Sequence, residues 1–170
     1  NIKYLEKCYH KNKRYCGVRL KSNSNSLAHQ SYHTFFNDSF FLENFSIRDG
    51  DVVYDLGANI GAFSLACSNY DVKKIYAFEP HSETYEYLKY NTDKYGKNVN
   101  CFQKAVGRDF GKVSFGGIAH GCSLGYQINP PSPNVKEEVE SINLEQFVLK
   151  NNYELPTYLK IDIELSLIHI

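Results

Sequence analysis

The sequence predicts an α/β domain built on a doubly wound, mostly parallel sheet. Two observations lead there. Strand-length apolar runs alternate with helically spaced segments from about residue 51 onward, and three of those runs end in acids: Asp55, Glu79 and Asp162. In such a sheet, right-handed crossovers bring the C-terminal strand ends to one edge, where ligands bind. Three strands would then deliver a carboxylate to the same rim.

The elements follow in order. Residues 1–45 read as a polar, aromatic extension packed on the domain's edge. They lack clear periodicity; "KSNSNSLAHQS" is a polar loop, and "YHTFFNDSFFLENF" gathers aromatics for a short helix or two. "RDGD" is a turn that launches the first strand, "DVVYDL". "IGAFSLACSNY" sets Ile60, Phe63, Leu65 and Ala66 at helical spacing, so a helix follows. "KKIYAFEP" is the second strand, stopped by Pro80. "SETYEYLKYNTDKYG" is the second helix, with Ser82 as N-cap, Gly96 as its stop and a buried stripe of Tyr85, Leu88 and Tyr95. Tyr54 and Phe78 alternate with buried positions along their strands. "NVNCFQKAVG" reads as one strand and "GKVSFGG" as another short one. Residues 116–134, rich in Gly and Pro, read as a long loop of the kind that is often functional. "EEVESINL" is extended, "LEQFVLKNN" a short helix and "YLKIDIE" the final apolar strand. Residues 46–164 form one domain, and 165–170 an atypical tail.

Composition narrows the function. A chain of 170 residues with 42% hydrophobic content and mildly negative mean hydropathy suits one soluble domain with its own core. No run approaches a membrane span, and the N-terminus lacks the apolar stretch of a signal peptide, so the cytoplasm is the expected compartment. A net charge of zero removes the basic footprint of a nucleic-acid binder; Lys11, Lys13 and Arg14 read as a solvated terminal segment. The five cysteines include no C-x-x-C pair, so neither a disulfide framework nor a zinc site is expected. Cys67 and Cys101 fall in helix and strand patterns, where a free thiol packs as a small hydrophobe. His29 and His33 have helical metal-site spacing but no third ligand, and no metal is expected. His120 reads as a solvated loop residue, and His81 as a helix cap or an edge of a ligand pocket. The N-x-S triplets at Asn37 and Asn44 read as chance.

The chemistry centres on "VVYDLGANIGAFSLA". Gly57 and Gly61 let the backbone turn sharply and let a ligand approach it closely. The turn lacks the G-K-[ST] of a P-loop, and it has one glycine fewer than the dinucleotide fingerprint. Asp55 beside a pyrophosphate would be an unfavourable neighbour. A ligand that is cationic at one end and carries a ribose at the other suits the residues better. Asp55 would meet the cation, Glu79 has two acceptor oxygens for the ribose hydroxyls, and the backbone at residues 103–106 would flank an adenine. S-adenosylmethionine fits that description. A nucleotide-binding oxidoreductase stays open as an alternative, because Glu79 would suit a ribose there too.

"VVYDLGANIGAFSL", "IYAFEPHSETYEYLKYN", "NVNCFQKAVG" and "LKIDIE" resemble, in order, the landmarks of the FkbM-type methyltransferases. The resemblance covers roughly residues 50–164. It implies a Rossmann-like fold of the S-adenosylmethionine-dependent methyltransferase type and methyl transfer to a hydroxyl oxygen. The acceptor would be a small molecule, a sugar or a lipid-linked sugar. By matching motif, Asp55, Gly57, Ala58, Asn59 and Gly61 become the methionine-end loop, Glu79 the ribose ligand and Ala105 the adenine contact. The family pattern continues D-x-E-G, whereas here Glu164 is followed by Leu165. The sheet is therefore expected to be incomplete at the C-terminus, and a non-catalytic fragment that binds cofactor only is the second alternative. Asp162 and Glu164 alternate on the final strand and are the candidate catalytic bases; the plainer role for Asp162 is to orient cofactor or backbone.

Overall fold

A computed structural model of the protein describes residues 8–10, 13–15, 47–108, 110–117, 127–128 and 135–163. Glu164, His29, His33, His120, the two N-x-S triplets and most of the 116–134 segment lie outside the described residues.

Strands β1 (Cys8–His10) and β2 (Lys13–Tyr15) pair antiparallel as a two-stranded sheet. The centre is a four-stranded parallel sheet of β3 (Val52–Leu56), β4 (Lys74–Phe78), β5 (Val99–Phe102) and β10 (Tyr158–Ile161), in the order β10-β3-β4-β5. Helix α1 (Ala62–Cys67) joins β3 to β4, and α2 (Ser82–Tyr95) joins β4 to β5. A second, mixed sheet holds β6 (Ala105–Gly107), β7 (Gly111–Gly117), β8 (Gln127–Ile128) and β9 (Val135–Asn143), in the order β6-β9-β7-β8. Helix α3 (Leu144–Lys150) follows β9 directly, capped by the Asn143 side chain on the Gln146 N–H.

The parallel sheet is covered on both faces, which is why β3 is buried at every position. Period-2 alternation sorts the side chains. Val52, Tyr54, Leu56, Tyr76 and Phe78 pack on one face against Phe147 and Val148 of α3 and against Val106 and Ile142 of the mixed sheet. Val53 and Ile75 face the other way, onto Phe63, Ala66 and Cys67 of α1. The α3 face is an aromatic cluster. Phe78 stacks on Phe102 at 4.9 Å, and Phe147 meets both edge-on at 5.8 and 5.4 Å, the favoured geometry for ring quadrupoles. Cys67 is a free, buried thiol in the α1 cluster, and burial holds its pKa well above the ordinary thiol range.

Four expectations need correction. The 116–134 segment is not loop throughout: β7 runs on to Gly117, and Gln127–Ile128 form β8, paired antiparallel with Phe115 and Gly116. The predicted third strand is two strands in two sheets. Residues 99–102 pair with β4, whereas Ala105 to Gly107 pair in parallel with Ser141 to Asn143 of β9. Both halves are extended and half-apolar, so only the pairing partner separates them. The N-cap of α2 is His81, not Ser82: its extended backbone turns the chain, and its ring nitrogen Nδ1 accepts the Thr84 N–H. The buried stripe of α2 is Thr84, Leu88, Asn91 and Thr92, with Tyr85 and Tyr95 only partly buried. Polar residues replace the expected tyrosines because each is satisfied locally. The Asn91 amide donates to the Ile60 carbonyl at 2.9 Å, and the Thr92 hydroxyl to the Leu88 carbonyl at 2.8 Å. Among the described residues no helix is long and apolar enough to cross a membrane.

Candidate functional site

The C-terminal ends of β10, β3 and β4 lie side by side, so Asp162, Asp55 and Glu79 share one edge of the sheet as their strand ends require. What each acid meets there differs.

Asp55 is fully buried, one strand face above α1. Its Oδ2 accepts the Ser64 hydroxyl at 2.6 Å, and its Oδ1 lies 3.1 Å from the ammonium of Lys160. That contact is an ion pair rather than an aligned hydrogen bond, since Oδ1 has no hydrogen-bond partner of good geometry. Lys160, 6% exposed, also donates to the Gly57 carbonyl at 2.7 Å and lies 3.7 Å from Asp162 Oδ2. The turn's own sequence contains no lysine. The lysine comes from the far edge of the sheet, where register sets it opposite Asp55.

The turn itself is left-handed at three points: Gly57 (φ 76°), Asn59 (φ 51°) and Gly61 (φ 90°). The reason for the two glycines is chain packing. A Cβ on Gly57 would lie 2.0 Å from the Asp162 carbonyl oxygen, and one on Gly61 would lie 2.9 Å from Leu88 of α2. Asn59 tolerates its conformation because its own Oδ1 accepts the Ile60 N–H at 2.8 Å. Ala58 packs inward against Ala77 and Leu88.

Each backbone N–H from Gly57 to Gly61 is spent inside the protein. Those of Gly57 and Ala58 donate to the Phe78 carbonyl at 3.0 and 2.8 Å. That of Asn59 donates to Glu79 Oε2 at 2.9 Å, that of Ile60 to Asn59, and that of Gly61 to the Ala58 carbonyl at 2.9 Å. A phosphate-binding turn works by aiming free N–H groups at the anion. This turn has none to aim.

Glu79 is 5% exposed. Its Oε2 takes the Asn59 N–H and its Oε1 the His81 N–H at 3.0 Å. Each oxygen keeps a second lone pair for a ligand hydroxyl. Burial pushes the Glu79 carboxyl up to about 7, against the opposing pull of the two N–H groups and the more distant Lys160. Glu137 of β9 accepts the Ser82 N–H at 3.0 Å, which ties the mixed sheet to the start of α2.

Asp162 is 45% exposed at the side chain, and its backbone N–H donates to the Leu56 carbonyl at 2.9 Å. It is thus anchored by its main chain with its carboxylate open to solvent. Ala105 opens β6, opposite Ser141, with its side chain among Phe115 and Val139. The described residues include no group of three or more His, Cys, Asp or Glu arranged to hold a metal.

Residues 55–164 match the model of the methyltransferase FkbM domain. The chain is 24% identical over 117 residues to the hexuronic acid methyltransferase AglP of Haloferax volcanii, covering 69% of this chain and 47% of that protein. The chain therefore spans about half the length of this curated relative. Solved structures with partial similarity include a SAM dependent methyltransferase from Aquifex aeolicus, at 26% identity over 43% of this chain and 40% of that one, TM-score 0.37. A precorrin-6y C5,15-methyltransferase from Geobacter metallireducens matches at 24% identity over 38% of this chain and 36% of that one, TM-score 0.36.

Proposed function

The chain belongs to the FkbM methyltransferase family, and from that premise we propose that it moves a methyl group from S-adenosylmethionine to a hydroxyl oxygen of a small-molecule or carbohydrate acceptor. The observation that carries the choice of cofactor is the spent turn. A dinucleotide needs free N–H groups for its pyrophosphate, and Gly57 to Gly61 offer none. S-adenosylmethionine has no pyrophosphate to satisfy. The carboxylate at the end of β4 keeps acceptor capacity for a ribose diol, and the open carboxylate of Asp162 suits a cationic end. The residues present therefore fit the cofactor. Glu79 would hold its ribose, the turn from Gly57 to Gly61 its amino-acid end, and the chain near Ala105 its adenine.

When bound, S-adenosylmethionine supplies a methyl group activated on a sulfonium. The protein's part is to align the acceptor oxygen with that carbon and to exclude water, for which proximity and orientation supply ~7–11 kcal/mol. Asp162 is the group on the rim suited to take the acceptor's hydroxyl proton; Glu164 is the second candidate. The 24% identity to a hexuronic acid methyltransferase favours a carbohydrate acceptor.

Calorimetric titration with S-adenosylhomocysteine tests the cofactor. Wild-type protein should bind it, and Glu79→Ala should lose that binding. A folded wild-type chain that binds NAD and not S-adenosylhomocysteine would return the site to a dehydrogenase. Asp162→Asn should fail to turn over a hexuronic acid acceptor even at saturating cofactor. Undiminished turnover would remove Asp162 as the base, and binding without turnover in the wild type would favour a cofactor-binding fragment.

A further inference from the structure

Lys160 is a buried cation that the proposed chemistry does not use. An ammonium 6% exposed on an apolar strand must be compensated, and it is. The Gly57 carbonyl lies at 2.7 Å, Asp55 at 3.1 Å and Asp162 at 3.7 Å. All three belong to the ends of β3 and β10. Glu79, at the next strand end, takes the Asn59 N–H from the same turn and the His81 N–H from the start of α2.

The rim therefore has two corners that share one turn: Lys160 holds it at the Gly57 carbonyl, and the β4 end holds it at the Gly57, Ala58 and Asn59 N–H groups. With strands ~4.8 Å apart, the step from β4 across β3 to β10 is roughly 10 Å. A ligand with its diol on Glu79 and a cationic end towards the two aspartates would span both corners. The base, uncharged, gains nothing from the aspartate corner and would lie the other way, towards β5.

We propose that Lys160 is a positioning residue for the amino-acid end of the bound cofactor, acting through the Gly57 carbonyl and the Asp55 carboxylate, while the nucleoside end is held at Glu79. The proposal rests on the S-adenosylmethionine reading above. It requires that Lys160 separate the two ends of one ligand, an effect that general loosening of the fold would not produce.

Adenosine carries only the nucleoside end, and S-adenosylhomocysteine carries both. Calorimetric affinities for the two should split in Lys160→Met: S-adenosylhomocysteine weakens by about tenfold or more, and adenosine by less than about twofold. Glu79→Ala should weaken both. Removing Lys160 leaves Asp55 buried opposite no cation. Should Lys160→Met fail to fold, the same comparison is made between Asp55→Asn and Asp55→Asn with Lys160→Met, where no carboxylate is stranded. The same split is expected there. Equal losses for the two ligands, or an unchanged S-adenosylhomocysteine affinity, overturn the role of Lys160 alone. Folded wild-type protein that binds neither ligand overturns the cofactor reading, and the role of Lys160 with it.

Discussion

The ends of β3 and β4 carry the same functional group in opposite company. Asp55 and Glu79 are both buried, one strand apart. Asp55 meets a hydroxyl on one oxygen and an ammonium beside the other. Glu79 meets two backbone N–H groups, and burial outweighs them, so its carboxyl rises to about 7. The β3 end is a clasp, closed by partners from β10 and α1. The β4 end, the proposed receptor, carries a carboxylate with an unused lone pair on each oxygen. Two acids that look equivalent as strand termini thus differ in what they can still bind.

The sharpest way to break the clasp is Gly57→Ala. Its Cβ would enter the Asp162 carbonyl at 2.0 Å, on a backbone with φ at +76°. The expected cost is on the order of 4 kcal/mol, because the end of β10 must move away from β3. Urea unfolding of variant and wild type measures it; a loss under about 1 kcal/mol would mean that the two strand ends are not packed as described.

The receptor is probed by pH. The folded-state pKa of Glu79, about 7, lies above its ordinary 4.5, so the native state binds the extra proton between those values. Stability from this group is then full below about pH 4.5 and is lost as pH rises through 7, by about 3 kcal/mol in all. In Glu79→Gln that slope should vanish. Denaturation curves at pH 5 and pH 8 compare the two proteins, and parallel behaviour would refute the burial argument. Ligand hydroxyls on the carboxylate favour its charged form. Binding of S-adenosylhomocysteine at pH 6 should accordingly release a proton, seen as a dependence of binding heat on buffer ionisation.

The smallest effect belongs to His81→Ala. The variant keeps the backbone N–H that serves Glu79 and removes the ring, whose Nδ1 caps α2 and whose Nε2 lies 3.9 Å from Glu137. About 1 kcal/mol of stability should be lost, measurable as a lower urea midpoint with an unchanged slope. A loss several times larger would show that the ring also holds the β4 end together.

Much of this was legible in the residues. Alternation of apolar runs with helical spacing placed β3, α1, β4 and α2 to within a few residues, because period-2 and period-3.6 patterns are local. The acids at Asp55, Glu79 and Asp162 could be put on one rim, because parallel strands with crossovers share their C-terminal edge. His81 was already a candidate cap, yet Ser82 was preferred, since capping depends on which residue turns out of the helix. Lys160 is not marked by the residues as a partner of Asp55, because a lysine in an apolar strand looks like a solvated edge residue until its register is known.

The sequence alone determined the periodicities, the family pattern and the presence of a sharp turn at Gly57 and Gly61, since each depends on residues near one another in the chain. Tertiary structure decided the rest: that "NVNCFQKAVG" divides between two sheets, that the turn's donors face inward, and that Lys160 meets Asp55 from 105 positions away. Those outcomes depend on pairing between distant segments. Only the three-dimensional register determines which strand supplies a partner and which buried acid is left with desolvation as its largest influence.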